Sequence, residues 1–349
     1  MAGTNFYVSL RSSGIGRVDL RLNWGCPISP FPLFQIGRNK TDIMRIGFID
    51  VDSHNFPNLA LMKLSAWHKG RGDDVEWYMP FSDRYDRVYM SKVFSFSPDY
   101  LDCVNADEVI KGGTGYAISL VGGREVFDKS KDLNLPYEIE HIYPDYELYG
   151  VKEAYGFLSR GCPRGCHFCI VEGKEGRRSV KVADLSEFWA GQKKIVLCDP
   201  NVLACREWKD LLSQLIDSKA EVDFNQGLDI RLMTQEKAEF IGKIKTKQIH
   251  FAWDRYEDKD IVLPRLKLFA ECNKVNAHNT IVYTIVNFST TLEQDLDRIY
   301  TLRGMGYWPY VMVYDKAHSA KVYNDLARWV NNRFIFAKCE RFEDYKNYG

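Results

Sequence analysis

From Met44 onward the chain alternates short apolar runs with amphipathic stretches. Residues 46–51 carry Ile46, Phe48, Ile49 and Val51, a run suited to a buried parallel strand. Residues 59–68 place Leu61, Leu64 and Trp67 at helical spacing. Residues 75–79, the region 87–90 with the apolar 93–96 beside it, and 108–110 read as further strands. The last runs into Gly112-Gly113-Thr114-Gly115, and glycines just after a strand let backbone approach a ligand closely. Alternating strands and helices predict an open α/β sheet over 44–125. Residues 126–153 read as a linker, within a stretch rich in glycine, proline and acids that begins near 120. A second series of repeats occupies 154–332. Strands are expected at 155–159, 194–198, 221–225, 248–253, 280–286 and 310–314. After the first of them comes a polar, basic segment at 174–179, and helices are expected at 208–216, 235–244, 262–272, 292–302 and 318–330. Residues 333–349 form an aromatic, charged tail, suited to capping one end of these repeats or meeting a partner.

Residues 1–43 show no sustained period and look foreign to the rest of the chain. Two readings stand, an extension that packs on the core and an over-extended start upstream of a natural Met44; the second is the expectation. Composition changes this picture little. Hydrophobic residues at 45% and charged residues at 27% are ordinary for a globular chain. The formal net charge is zero, so there is no strong nucleic-acid signal. No apolar run has the length of a membrane span and no signal peptide is visible, so no membrane partner is expected. Nine cysteines without a disulfide framework suit ligands and buried thiols in a reducing cytoplasm.

The chemistry concentrates in Arg160-Gly161-Cys162-Pro163-Arg164-Gly165-Cys166-His167-Phe168-Cys169. Three thiolates in eight residues suit a soft metal centre. A zinc ion would need a fourth ligand, for which His167 is the nearest candidate, although adjacent residues point apart. A disulfide with one spare thiol is a further possibility. An iron–sulfur cluster on three cysteines leaves one iron open.

This Cys-x3-Cys-x2-Cys spacing, with an aromatic before the third cysteine, resembles the signature of the radical SAM superfamily. The resemblance implies a [4Fe–4S] cluster on Cys162, Cys166 and Cys169, with S-adenosylmethionine (SAM) chelating the fourth iron. An electron then splits the sulfonium and yields a 5′-deoxyadenosyl radical. It further implies an α/β protein whose N-terminal Rossmann-like open parallel sheet precedes a partial (β/α)6 radical SAM barrel, which the six repeats of 154–332 match. In such barrels polar residues at strand C-termini face the active site. Asp199, Asn201, Gln226, Asp229, Arg231, Asp254, Arg255, Asn287 and Asp315 all lie at or just past such ends. Of these, Asp199 and Asn201 are expected to reach the amine of SAM. Gln226, Asp229 and Arg231 are expected at its ribose, its carboxylate or the substrate. A local Asp229–Arg231 ion pair that merely fixes the loop is the competing reading.

The N-terminal half resembles the cobalamin-binding-type domains that precede many such barrels. Asp52-Ser53-His54-Asn55-Phe56-Pro57 is similar to their Asp-x-His-x-x-Gly loop, whose histidine can ligate cobalt. Pro57 replaces the glycine, stiffens the loop and removes a backbone donor, so cobalamin is not expected. Counting cysteines sets aside subclasses with extra clusters. Only Cys103 lies between 44 and 153 and only Cys339 beyond Cys272, while Cys198 and Cys205 read as core or helix-start thiols. The reading is thus a single-cluster radical SAM enzyme acting on an unidentified substrate, served by an electron donor such as flavodoxin or ferredoxin. The alternative is a non-catalytic iron–sulfur or zinc scaffold that binds RNA or a protein partner.

Overall fold

The computed structural model describes residues 43–53, 56–121 and 124–345. The expectation for the N-terminal extension, apart from residue 43, and the His54 position of the loop that resembles a cobalamin-binding one lie outside them. The first sheet is built from β1 (Arg45–Asp50), β2 (Asp74–Trp77), β3 (Tyr85–Ser91) and β4 (Ala106–Gly112), with α1 (Leu59–Gly70) between β1 and β2. Its order is β2-β1-β3-β4 and every pairing is parallel. Asn58 caps α1 by accepting the Leu61 N–H. Leu61, Leu64, Ser65 and His68 lie one helical stripe apart and are buried.

This sheet departs from a regular strand–helix alternation, since no helix joins β2 to β3 or β3 to β4. Aromatic loops cover the second face instead. Tyr78, Tyr100, Val104 and Tyr116 pack on the buried Ile49, Tyr85, Val88 and Met90. The apolar 93–96 stretch is not a strand. The N–H groups of Val93 and Phe94 donate instead to the buried carboxylate of Asp52, each at 2.8 Å. The connector also holds structure that its composition concealed. An antiparallel hairpin, β5 (Ile118–Val121) and β6 (Arg124–Phe127), comes first, followed by the short α2 (Tyr137–Glu140).

The second half begins with β7 (Ala154–Gly156) and β8 (Ser159–Arg160), then α3 (Val171–Glu175) and β9 (Val180–Lys181). Next come β10 (Lys194–Leu197), α4 (Trp208–Ser218), β11 (Glu221–Phe224), α5 (Gln235–Lys243), β12 (Ile249–Ala252) and α6 (Lys259–Cys272). The chain ends in β13 (Thr280–Val286), α7 (Leu292–Gly304), β14 (Trp308–Val313), α8 (Lys321–Asn331) and α9 (Arg333–Lys338). Strands β11, β10 and β7 form one parallel sheet, and β12, β13 and β14 another. The protein is therefore a mixed α/β structure with parallel sheets. Every residue of β13 is buried, which explains why that strand reads as an unbroken apolar run.

Two helix starts differ from the sequence pattern. α6 begins at Lys259 and takes Pro264 inside it. α8 begins at Lys321, because Asp315 turns the chain at φ 45° and the His318 N–H bonds back to its carbonyl. The tail does not stand apart. Phe336 of α9 is buried, with ring centroids 5.3 Å from Trp308 and 4.9 Å from Trp329. A buried ion pair between Arg298 and Asp295 fastens the strand ends. Arg298 also donates to the carbonyls of Trp253, Asp254 and Ile285, which closes the C-terminal ends of β12 and β13 on one guanidinium. No helix among the described residues is long and apolar enough to cross a membrane.

Candidate metal centre

The cysteine segment is a loop with a closed base. β8 pairs antiparallel with β9, so the chain leaves and returns through a two-residue ladder. Inside that base the Cys162 N–H donates to the Gly176 carbonyl at 3.1 Å. Glu175 accepts the Gly161 N–H at 3.1 Å. Gly161 has φ +90°, and a Cβ there would stand 2.0 Å from the Arg178 carbonyl oxygen, so only glycine fits. The segment expected to be polar and basic thus runs from the last residues of α3 through the loop that leads into β9, and it forms the return limb of the cysteine loop. From α3, Lys174 reaches the Thr114 hydroxyl at 2.8 Å, just past the Gly112-Gly113 pair that ends β4.

Within the loop the Cys169 N–H donates to the Cys166 carbonyl at 2.9 Å. Desolvation first, and then the neighbouring Cys166 and Cys162 sulfurs, push the Cys169 thiol up to about 11 although the residue reaches the surface. Desolvation also raises Cys166, against the opposing pull of Arg231. Phe168 packs edge-on against Phe288 at 5.5 Å, and Phe288 packs against Tyr314 at 4.7 Å. The loop's aromatic therefore rests on residues just past β13 and β14. No disulfide joins the described cysteines. Among the described residues no three His, Cys, Asp or Glu side chains are grouped to hold a metal ion as they stand.

The strand-end residues divide into two kinds. Asp199, past β10, is buried and spends its carboxylate on backbone. It accepts the Leu158 N–H at 2.8 Å, and the Ser159 N–H and hydroxyl at 2.5 Å each. Burial pushes its carboxyl up to about 7, against those three donors, which favour the charged form. Asp199, expected at the amine of SAM, clamps the turn that leads into the cysteine loop. Asp229, past β11, accepts from Arg164 Nε at 2.6 Å and from Arg231 Nε at 2.8 Å. Burial opposes its charge, but Arg231 and then Arg164 hold it below the usual carboxylate range. Arg231 also bonds Asp258 at 3.1 Å, so the local ion-pair reading of Asp229 and Arg231 is the arrangement present.

Asn201 is the link between these groups. It is 3% exposed. Its Nδ2 lies 3.4 Å from Cys162 Sγ and 3.3 Å from Asp229 Oδ2, while its Oδ1 is buried with no hydrogen-bond partner. Gln226 is half-buried in the turn after β11. Asp254 accepts the Ile285 N–H at 3.3 Å, and burial pushes its carboxyl up to about 6. Arg255 pairs with exposed Glu257, Asn287 reverses the chain at φ 61°, and Asp315 pairs with His318. Cys205 is buried at the approach to α4 and Cys198 half-buried at the end of β10.

Sequence reasoning missed Arg164 and Ser159. Arg164 carried a signal, a charge set between two cysteines of the loop, but its partner lies 65 residues away. Comparison with known protein families finds none whose pattern matches the chain, and no curated protein sequence matches it.

Proposed function

We propose that this protein is a radical SAM enzyme with one [4Fe–4S] cluster on Cys162, Cys166 and Cys169, built on a partial (β/α)6 barrel behind a Rossmann-like domain. The barrel reading is supported by strand order. β7, β10 and β11 are sequential neighbours, as are β12, β13 and β14, and the Leu228 N–H past β11 donates to the His250 carbonyl in β12 at 2.8 Å.

The observation that carries the proposal is the join of an all-sulfur donor loop to the ends of β10 and β11 through Asn201. Its donors suit iron and sulfide, since thiolates of a cluster bind separate irons and need not converge on one ion. A closed tetrahedral zinc site would need a fourth donor at the same point. The orphaned Asn201 Oδ1 also fits, because a buried acceptor left unmade costs about 1–3 kcal/mol and calls for an N–H from a ligand. The amine of SAM at the open iron is such a donor.

When bound, cluster and SAM supply one-electron cleavage of the sulfonium to methionine and a 5′-deoxyadenosyl radical. The chain's own residues hold and orient. Asp199 sets the entry of the loop, Glu175 and Gly161 set its base, and Arg164 with Asp229 ties its middle to β11. Phe168 on Phe288 ties its far limb to the residues past β13. Arg231 is spent on Asp229 and Asp258, so it serves the loop rather than a SAM carboxylate. A small reductant of the flavodoxin or ferredoxin kind supplies the electron. Anaerobic reconstitution tests the proposal. A brown protein with about four irons per chain is expected; a colourless protein with one stoichiometric zinc would remove it.

A further inference from the structure

We propose that Asn201 sets the reduction potential of the cluster through a side-chain N–H···S hydrogen bond to Cys162. This rests on the cluster reading above and goes beyond it to a positioning residue. A carboxamide nitrogen has two hydrogens, and both acceptors are at hand, Cys162 Sγ at 3.4 Å and Asp229 Oδ2 at 3.3 Å. Asp229 decides which way the amide faces. Held charged by Arg164 and Arg231, it can only accept, so nitrogen and not oxygen must point to it. The second N–H is then aimed at sulfur. The backbone of Asn201 is also fixed, because the Ser179 hydroxyl donates to its carbonyl at 2.9 Å. At 3% exposure no water competes freely for this donor.

The chemistry derives from the charge that a cluster gains on reduction. An added electron raises the negative charge on the sulfurs, and a fixed N–H stabilises the reduced form more than the oxidised one. Hydrogen bonds to the sulfurs are among the levers that set such potentials. Arg164 and Cys162 belong to the same loop, so the chain Arg164–Asp229–Asn201–Cys162 closes a ring through two strand ends. That ring keeps the donor in register with the sulfur it serves.

The test is a redox titration of the reconstituted full chain, monitored by the magnetic resonance signal of the reduced cluster. Asn201→Leu keeps the branched shape and removes the N–H. It should keep its iron, and its midpoint potential should move to more negative values than the wild type. An intact cluster with an unshifted potential overturns the inference while leaving the cluster reading in place. Should the variant fail to fold, the wild type alone decides. With 15N-asparagine labelling the reduced cluster should show coupling to an amide nitrogen and its exchangeable proton, and absence of that coupling overturns the inference. Wild-type protein that takes up no iron defeats the cluster reading and the inference together.

Discussion

Cys166→Ala is expected to fold and melt as the cluster-free wild type does and to retain none of the cluster. Cys162, Cys166 and Cys169 stand outside every hydrophobic core cluster among the described residues. The loop is held instead by its own base, by Arg164 on Asp229 and by Phe168 on Phe288. Exchanging a half-buried thiol for a methyl at such a place changes stability by about 0.5 kcal/mol or less. The effect on metal is of another order. In the proposed function three protein sulfurs are the whole set that holds the cluster, so the loss of one is expected to release it. Thermal melting together with iron and sulfide content reads both halves. A variant with wild-type iron would show that Cys166 is no ligand.

Asp199→Ala should instead damage the fold. The substitution strands the N–H groups of Leu158 and Ser159 and the Ser159 hydroxyl, all buried beside the turn that feeds the loop. Each unmade buried donor costs about 1–3 kcal/mol, so a loss of roughly 3 kcal/mol is expected in urea unfolding. Lower iron uptake should accompany it, because the entry to the loop loses its anchor. The carboxyl also leaves a mark in the pH profile. Its folded pKa, about 7, lies above the unfolded value of about 3.9. The stability from that shift is complete below about pH 4 and is lost as pH rises through about 7. The variant should lack this limb. Unchanged stability with unchanged pH dependence would show that Asp199 is free to meet a ligand after all.

The two predictions mark where the sequence was legible. The cysteine loop was visible because a residue type at a fixed spacing is legible in the sequence, whatever the fold around it. Strands such as β13 were visible because burial on both faces forces apolar runs. The ladder of β8 and β9 was not, since two residues per strand are too few to show a period. Nor could the sequence say that 93–96 gives its N–H groups to Asp52, or that loops of tyrosine would replace helices on the first sheet. At the site the polar strand ends were found as a set, but their division was hidden. Asp199 and Arg231 look like ligand contacts until their partners are known. Those partners lie 40 and 27 residues away in Ser159 and Asp258. Asn201 stood among them without distinction, and only its orphaned oxygen and its reach to Cys162 set it apart.

Central to this account is an open iron at which SAM is cleaved. Wild-type protein, anaerobically reconstituted and reduced, should convert SAM to 5′-deoxyadenosine and methionine in equal amounts, and Cys166→Ala under the same conditions should form neither. A fully loaded and reduced cluster that leaves SAM intact would contradict the account and identify the loop as a scaffold.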